Sequence, residues 1–390
     1  MGKKYGKKEL KYLKKAIKSD NLFYANGKMT KRLCKTVRRH FNVDYAAAMS
    51  SGTAAIHCAL AALEIPPGKE VITSPITDIG TVIGVLYQNL IPVFADVDPH
   101  TYNITAESIE KVISDDTRAI IVVHLAGNPA GMDEILNLAE KHQVDVIEDC
   151  AQSYGAKYKG KPVGTLARLG CYSLNAYKHI SAGDGGFVIT NEEILYERVH
   201  NYADKFYDRH GKGVRLNSLA PNYRITELQS AVSVAQFDKV NDITESRHAL
   251  GDMFNKGICG LAGISAHGVK EHSYCSYWFT MIRIDSDILQ VDRDEFVKEL
   301  KKNRVPASAG YIARPLYLEP LFREKNFFPA HLWPAEIISG KSFEYESGLC
   351  PIAEDVLDTA IRVSIDENMS EKKIQKMIDG VQKAHAKFIT

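Results

Sequence analysis

Between residues 45 and 190 short apolar runs alternate with helix-patterned stretches, and this alternation constrains the fold more than any other feature of the chain. "EVITSPI" (70–76), "IPVFADVD" (91–98), "RAIIVVHLAG" (118–127) and "VDVIEDCAQ" (144–152) read as buried strands. "TVIGVLYQNL" (81–90), "AESIEKVI" (106–113) and "GMDEILNLAEKHQ" (131–143) lie between them and read as helices. "GCYSL" and "GGFVIT" add two more strands. Strands separated by helices indicate an α/β fold with a mostly parallel sheet covered on both faces.

After about residue 190 the pattern changes. "NEEILYERVHNY" and "TELQSAVSVAQFDKVNDITESRHALGDMFNKG" read as long helices. Past about residue 255 come a strand "SYWFTMIRI", a helix "DRDEFVKELKKNR", an aromatic and Pro-rich loop, and a last helix "SEKKIQKMIDGVQKAHAKF". This divides the chain into a large α/β domain with an N-terminal helical segment, residues 1–250, and a smaller C-terminal α+β domain, residues 251–390.

The net charge of +1 excludes a strongly basic nucleic-acid binder. The lysine-rich start, "MGKKYGKKELKYLKKAIKSD", reads as an exposed amphipathic helix with Leu10, Leu13 and Ile17 at helical spacing. No apolar segment suits a secretory signal or a membrane span. The seven cysteines are dispersed without a CxxC pair, which points to reduced thiols and a cytoplasmic setting rather than to disulfides or a metal site.

Four stretches offer chemistry. In "SSGTAAIHCAL" (50–60), Gly52 and Thr53 open a helix whose free N–H groups suit a phosphate, although Ser and Thr cap helices for structural reasons too. In "VIEDCAQSYGA" (146–156), Asp149 ends an apolar strand, where open α/β sheets bind ligands. Glu148 and Asp149 are adjacent, so one carboxylate should face the site and the other a structural partner. In "SLNAYKHISAGDGG" (173–186), Ser173 and Asn175 alternate along a strand end, Lys178 follows, and glycines permit a tight turn. "APNYRITELQSA" (220–231) places Asn222 and Arg224 before a helix capped by Thr226. Singly, each stretch has a structural explanation. Together, a phosphate cradle, a strand-end carboxylate and a lysine are the parts that hold pyridoxal 5'-phosphate.

Over nearly its whole length the chain resembles the DegT/DnrJ/EryC1/StrS family of pyridoxal-phosphate sugar aminotransferases. The resemblance is carried by "NGKMTKRLCKTVRRHFNVDYAAAMSSGTAAI", "VIEDCAQSYGA", "YSLNAYKHISAGDGGFVIT", "NYRITELQSAV" and "CPIAEDVLDTAIRVSIDENMSEKKIQKM". It implies the fold-type I architecture of the aspartate aminotransferase superfamily, with a seven-stranded-type sheet. It also implies a transamination that passes through pyridoxamine 5'-phosphate.

The resemblance makes Lys178 the Schiff-base lysine and the acid/base of the proton shift. Asp149 pairs with the pyridine nitrogen, and Gln152 sits near the ring hydroxyl. Gly52, Thr53 and Ser173 bind the phosphate, with Asn175 beside them. Asn222 reaches the phosphate of a neighbouring subunit, which implies a homodimer with shared sites. The substrates implied are a keto-sugar or keto-cyclitol and an amino donor, glutamate or glutamine.

Some relatives replace the lysine with histidine and act as dehydratases through pyridoxamine phosphate. Here Lys178 holds that position, and the adjacent His179 reads as structural. A non-catalytic cofactor-bound regulator is the third reading. The chain departs from the family in "SPITDIGT", where Asp78 stands in place of an aromatic residue that stacks on the cofactor ring. Asp78 is then a candidate substrate contact. In "SAGYIARPLYLEPLF" (308–322), Arg314 and Tyr317 are candidates at the site entrance.

Overall fold

A computed structural model describes residues 4–207, 209 and 218–389; the first three residues of the lysine-rich start lie outside the described residues. The apolar runs form one seven-stranded sheet. Its strands lie in the order Tyr45–Met49, Gly186–Thr190, Leu169–Ser173, Asp145–Asp149, Thr117–Val123, Glu70–Thr73 and Ile91–Phe94. Every neighbouring pair is parallel except the two made by Gly186–Thr190, which runs antiparallel to both of its neighbours. Consecutive residues Ala119 to Val123 are all buried, so both faces of the sheet are covered. This is the mostly parallel α/β sheet expected from the alternation and the fold-type I arrangement that the resemblance implies.

The smaller unit is a four-stranded antiparallel sheet in the order Ile264–Ser265, Thr280–Ile284, Ala360–Val363 and Ala307–Ala309. Phe296 and Ile374, from the helices Arg293–Lys302 and Glu371–Phe388, share its separate core with Phe254 and Ile258. Phe254 and Ile258 belong to the helix Val240–Ile258, whose first residue packs in a core of the large unit. The division placed after residue 250 therefore falls within one helix. In addition, Tyr317, Phe322, Trp333 and Tyr345 return to the main core of the large sheet.

Two local readings differ from the structure. The helical stretch from 226 to 257 is two helices, Glu227–Phe237 and Val240–Ile258. Neither Pro nor Gly marks the break; Lys239 stands at it, its amine bonded to the Lys4 carbonyl at 3.1 Å and to Glu9 Oε1 at 2.5 Å. The N-terminal helix Lys7–Lys18 packs inward through Tyr12, Leu13 and Ala16, and departs from the expected apolar stripe at two positions. Leu10 and Ile17 are 67% and 62% exposed, while Glu9 and Ala16 are buried. Glu9 is turned inward because it accepts hydrogen bonds from Gln236 and Lys239. Among the described residues, no helix is long and apolar enough to cross a membrane, and all seven cysteines are free.

Candidate active site

The site lies at the C-terminal ends of the parallel strands, where the sheet changes direction. Asp149 is the last residue of its strand and is buried. Its Oδ2 accepts the Thr81 hydroxyl at 2.8 Å, and its Oδ1 accepts the Ala151 amide at 3.0 Å. Burial raises its pKa, against those two hydrogen bonds and the nearby Lys178 charge. Glu148 points to the opposite face. It accepts the amides of Gly164, Leu166 and Ala167 at 2.6 to 2.8 Å and meets His124 Nε2 at 3.0 Å. The two adjacent carboxylates therefore divide as strand geometry requires, one toward the site and one into a structural network.

The cradle is built by close packing. The helix Gly52–Ala62 begins against the end of the strand Leu169–Ser173. A Cβ on Gly52 would lie 2.7 Å from the Ser173 Cβ, so only glycine allows this approach. Ser51 caps the helix by accepting the Ala54 amide at 3.0 Å. Thr53 sits beside Gly80, where a second helix, Gly80–Tyr87, begins. Ser50 donates its amide to the Tyr223 carbonyl at 2.8 Å, which brings the segment of Asn222 alongside the cradle. Asn222 itself is exposed.

Lys178 is carried by the turn between the strands Leu169–Ser173 and Gly186–Thr190. Gly183 and Gly185 have φ of +88° and +138°, which only glycine adopts readily. Asn175 braces the turn, its Nδ2 donating to Asp184 at 3.0 Å. Lys178 is half-buried as a residue, but its amine is turned inward and lies 3.9 Å from the Trp278 ring centroid. Burial lowers its pKa, while the Asp149 and Asp78 carboxylates pull it the other way. A desolvated amine with a depressed pKa is the form that attacks a carbonyl. His179 is fully buried, and its Nε2–H donates to the Ser276 carbonyl at 3.2 Å. Burial holds its pKa well below the ordinary value, so the ring is a neutral packing element.

Gln152 is clamped at both ends. Its Oε1 accepts the Ala126 amide at 2.9 Å and its Nε2 donates to the Tyr311 hydroxyl at 3.2 Å. Asp78 is exposed and starts the helix Gly80–Tyr87, with Oδ1 accepting the Gly80 amide at 2.8 Å. Its charge nevertheless reaches Lys178 and Tyr311. Arg314 is more than half exposed and pairs with Glu319 at 3.6 Å.

Tyr317 corrects the reading of the entrance segment. It is completely buried, packs on Phe94 and donates to Glu354 Oε1 at 2.6 Å. The 3₁₀ turn Leu316–Leu318 directs it into the core, away from the site.

Three residues of the site escaped the sequence reading. Trp278 lies over the Lys178 amine and donates its indole N–H to the Tyr177 carbonyl at 2.7 Å. Tyr311 stacks on Phe279 at 5.1 Å and holds Gln152. Arg362 lies 4.9 Å from the Phe279 ring centroid and 5.9 Å from that of Trp278. Among the described residues, its buried Nε has no hydrogen-bond partner. A sequence signal for it existed: Arg362 interrupts the apolar strand Ala360–Val363, whose other three residues are buried.

The side chains present fit pyridoxal phosphate. A glycine-lined helix start meets a serine, a buried carboxylate lies within electrostatic reach of a desolvated lysine, and a glutamine is fixed beside them.

The chain matches the DegT/DnrJ/EryC1/StrS aminotransferase family over residues 3–382. A GDP-perosamine synthase of Escherichia coli O157:H7 is 32% identical over 290 residues, which are 73% of this chain and 76% of that protein. An uncharacterized protein of Methanocaldococcus jannaschii is 31% identical over 97% of this chain and 95% of its own. The X-ray structure of an aminotransferase from Psychrobacter cryohalolentis superposes with a TM-score of 0.88 at 29% identity, covering 99% of this chain and 98% of that one.

Proposed function

The chain belongs to the DegT/DnrJ/EryC1/StrS aminotransferase family and is a pyridoxal-phosphate-dependent aminotransferase; from that premise we propose that it carries nitrogen from glutamate or glutamine to the ketone of a sugar or cyclitol. The observation that carries this reading is the Lys178 amine, desolvated 3.9 Å from the Trp278 ring centroid and within electrostatic reach of the Asp149 and Asp78 carboxylates. Similarity to a GDP-perosamine synthase supports a nucleotide-linked sugar as the acceptor.

When bound, the cofactor supplies an aldehyde that condenses with amines and a ring that stores the electron pair released on deprotonation. Asp149 would hold a proton on the ring nitrogen, its second oxygen kept in place by Thr81. Gln152 would orient the ring hydroxyl. Gly52, Thr53, Ser173 and Asn175 would hold the phosphate at the helix start. Lys178 would move the proton between the two carbons of the shift.

Arg362 would bind the donor's carboxylate, since its orphaned Nε offers a charge-assisted hydrogen bond. Asp78 and Arg314 would meet sugar hydroxyls at the mouth. Exposed Asn222 would reach the phosphate site of a second copy, making a homodimer with shared sites. The seven free thiols support a reducing cytoplasm. A lysine at 178 favours nitrogen transfer over the dehydratase chemistry of histidine-bearing relatives.

The test is an absorption spectrum of the purified protein with and without each donor, beside Lys178→Ala. The expected result is a visible cofactor band that shifts to the near ultraviolet with donor and is missing in the variant. A band that is present without Lys178 and ignores every amino donor would remove the proposal.

A further inference from the structure

Lys178 is held from behind by the start of the chain. The Lys4 amine donates to two carbonyl oxygens of the lysine turn, Ala176 at 3.0 Å and Lys178 itself at 2.5 Å. Next to it, the Tyr5 hydroxyl donates to Ser181 Oγ at 3.0 Å, and Ser181 Oγ in turn accepts the Gly183 amide at 3.0 Å. These contacts span more than 170 residues of sequence, so they are not local turn bonds.

Lys4 is in turn anchored. Its own carbonyl accepts Gln236 Nε2 at 3.0 Å and the Lys239 amine at 3.1 Å. Gln236 also accepts the Ser181 amide at 3.3 Å and donates to Glu9 at 2.7 Å. The inward-turned Glu9 and the helix break at Lys239 thus serve one arrangement. Burial pulls the Lys4 amine down to about 8, against the attraction of Glu367 and Asp366. An ammonium spending its donors on backbone carbonyls fixes that backbone more firmly than a neutral donor would.

We propose that Lys4 is a positioning residue: it ties the N-terminal segment to the turn of Lys178 and sets where the Lys178 amine stands relative to Asp149. The proposal rests on the reading of Lys178 given above for the chemistry it serves. Its structural half, the restraint of the turn, stands independently of that reading.

The experiment compares the wild-type holoenzyme with Lys4→Met, which keeps the stem and loses the donors, and Lys4→Arg, which restores donors. Hydrogen–deuterium exchange of amides 174–183 is measured first. It should rise about tenfold in the Met variant and return most of the way in the Arg variant. The single-turnover rate with glutamate should fall about tenfold in the Met variant, with donor affinity unchanged. The pH at which the visible band titrates should move in the Met variant and return in the Arg variant. Unchanged exchange in Lys4→Met overturns the proposal, as does an unchanged turnover rate in an active enzyme. A Met and an Arg variant equally impaired also overturn it. If the wild type itself reacts with no donor, the aminotransferase reading fails, and the exchange comparison still decides the role of Lys4.

Discussion

The two walls of the site are built in different ways. The cofactor wall is made by residues at strand ends and helix starts, each close in sequence to the element that aims it: Gly52, Thr53, Asp149 and Ser173. The facing wall is made by Trp278, Tyr311 and Arg362, which come from separate segments and meet only through packing of the smaller sheet and its neighbouring loops. The first wall is held by hydrogen bonds to the backbone of the large sheet. The second is held by ring contacts and by the half-buried Arg362 guanidinium against the Phe279 and Trp278 rings. The first wall is thus assembled within the large sheet, and the second only where the smaller unit packs against it.

The sharpest way to break this contrast is Asp149→Asn, which keeps shape and removes charge. It should lower turnover about 10³-fold with little loss of folding. A variant with near-normal turnover would mean that the buried carboxylate is structural, like Glu148.

Acid should act on the cofactor wall next. His57 lies within the cradle helix, meets Tyr223, Gln88 and Tyr202, and is held by burial down to about 4. Its unfolded value is near 6.5, so the unfolded chain takes up the proton first. Stability present above pH 6.5 is therefore lost as the pH falls toward 4, by about 3 kcal/mol at most from this group. Denaturant melts at stepped pH, compared with His57→Gln, should show a shallower acid slope in the variant.

On the facing wall, Arg362→Gln should raise the donor KM by about 10- to 100-fold while the sugar KM stays within about twofold. Equal loss for both substrates would place Arg362 in the framework instead. The smallest effect belongs to Tyr317→Phe, which should cost about 1 to 2 kcal/mol of stability through its lost bonds to Glu354 and the Cys350 amide. Both KM values should be unchanged; a changed sugar KM would return Tyr317 to the site.

The same contrast explains what could be read from the sequence. The strand–helix alternation identifies six of the seven strands of the large sheet because each has an apolar centre; Tyr45–Met49, rich in alanine, gives no such signal. The cofactor wall follows because its residues sit at the ends of those strands. Trp278, Tyr311 and Arg362 share no motif or spacing, and only the packed fold brings them together. Tyr317 misleads for a related reason, since the segment around it is rich in aromatic residues and a single 3₁₀ turn decides which of them point inward. The break before Val240 has no local signal, since Lys239 is drawn to Glu9 and Lys4, more than 200 residues away.

The one antiparallel strand of the sheet also joins the two halves of the candidate site. Gly186–Thr190 pairs with Leu169–Ser173 across a turn of about a dozen residues, so the lysine turn closes as a local hairpin. Its other partner, Tyr45–Met49, joins from far earlier in the chain. Loop length alone makes that second closure about 2 kcal/mol more costly in entropy. The cradle helix follows directly on Tyr45–Met49, so it and the lysine turn are joined through this long-range pairing. The two halves of the candidate cofactor site thus meet across the more entropically costly of that strand's two pairings.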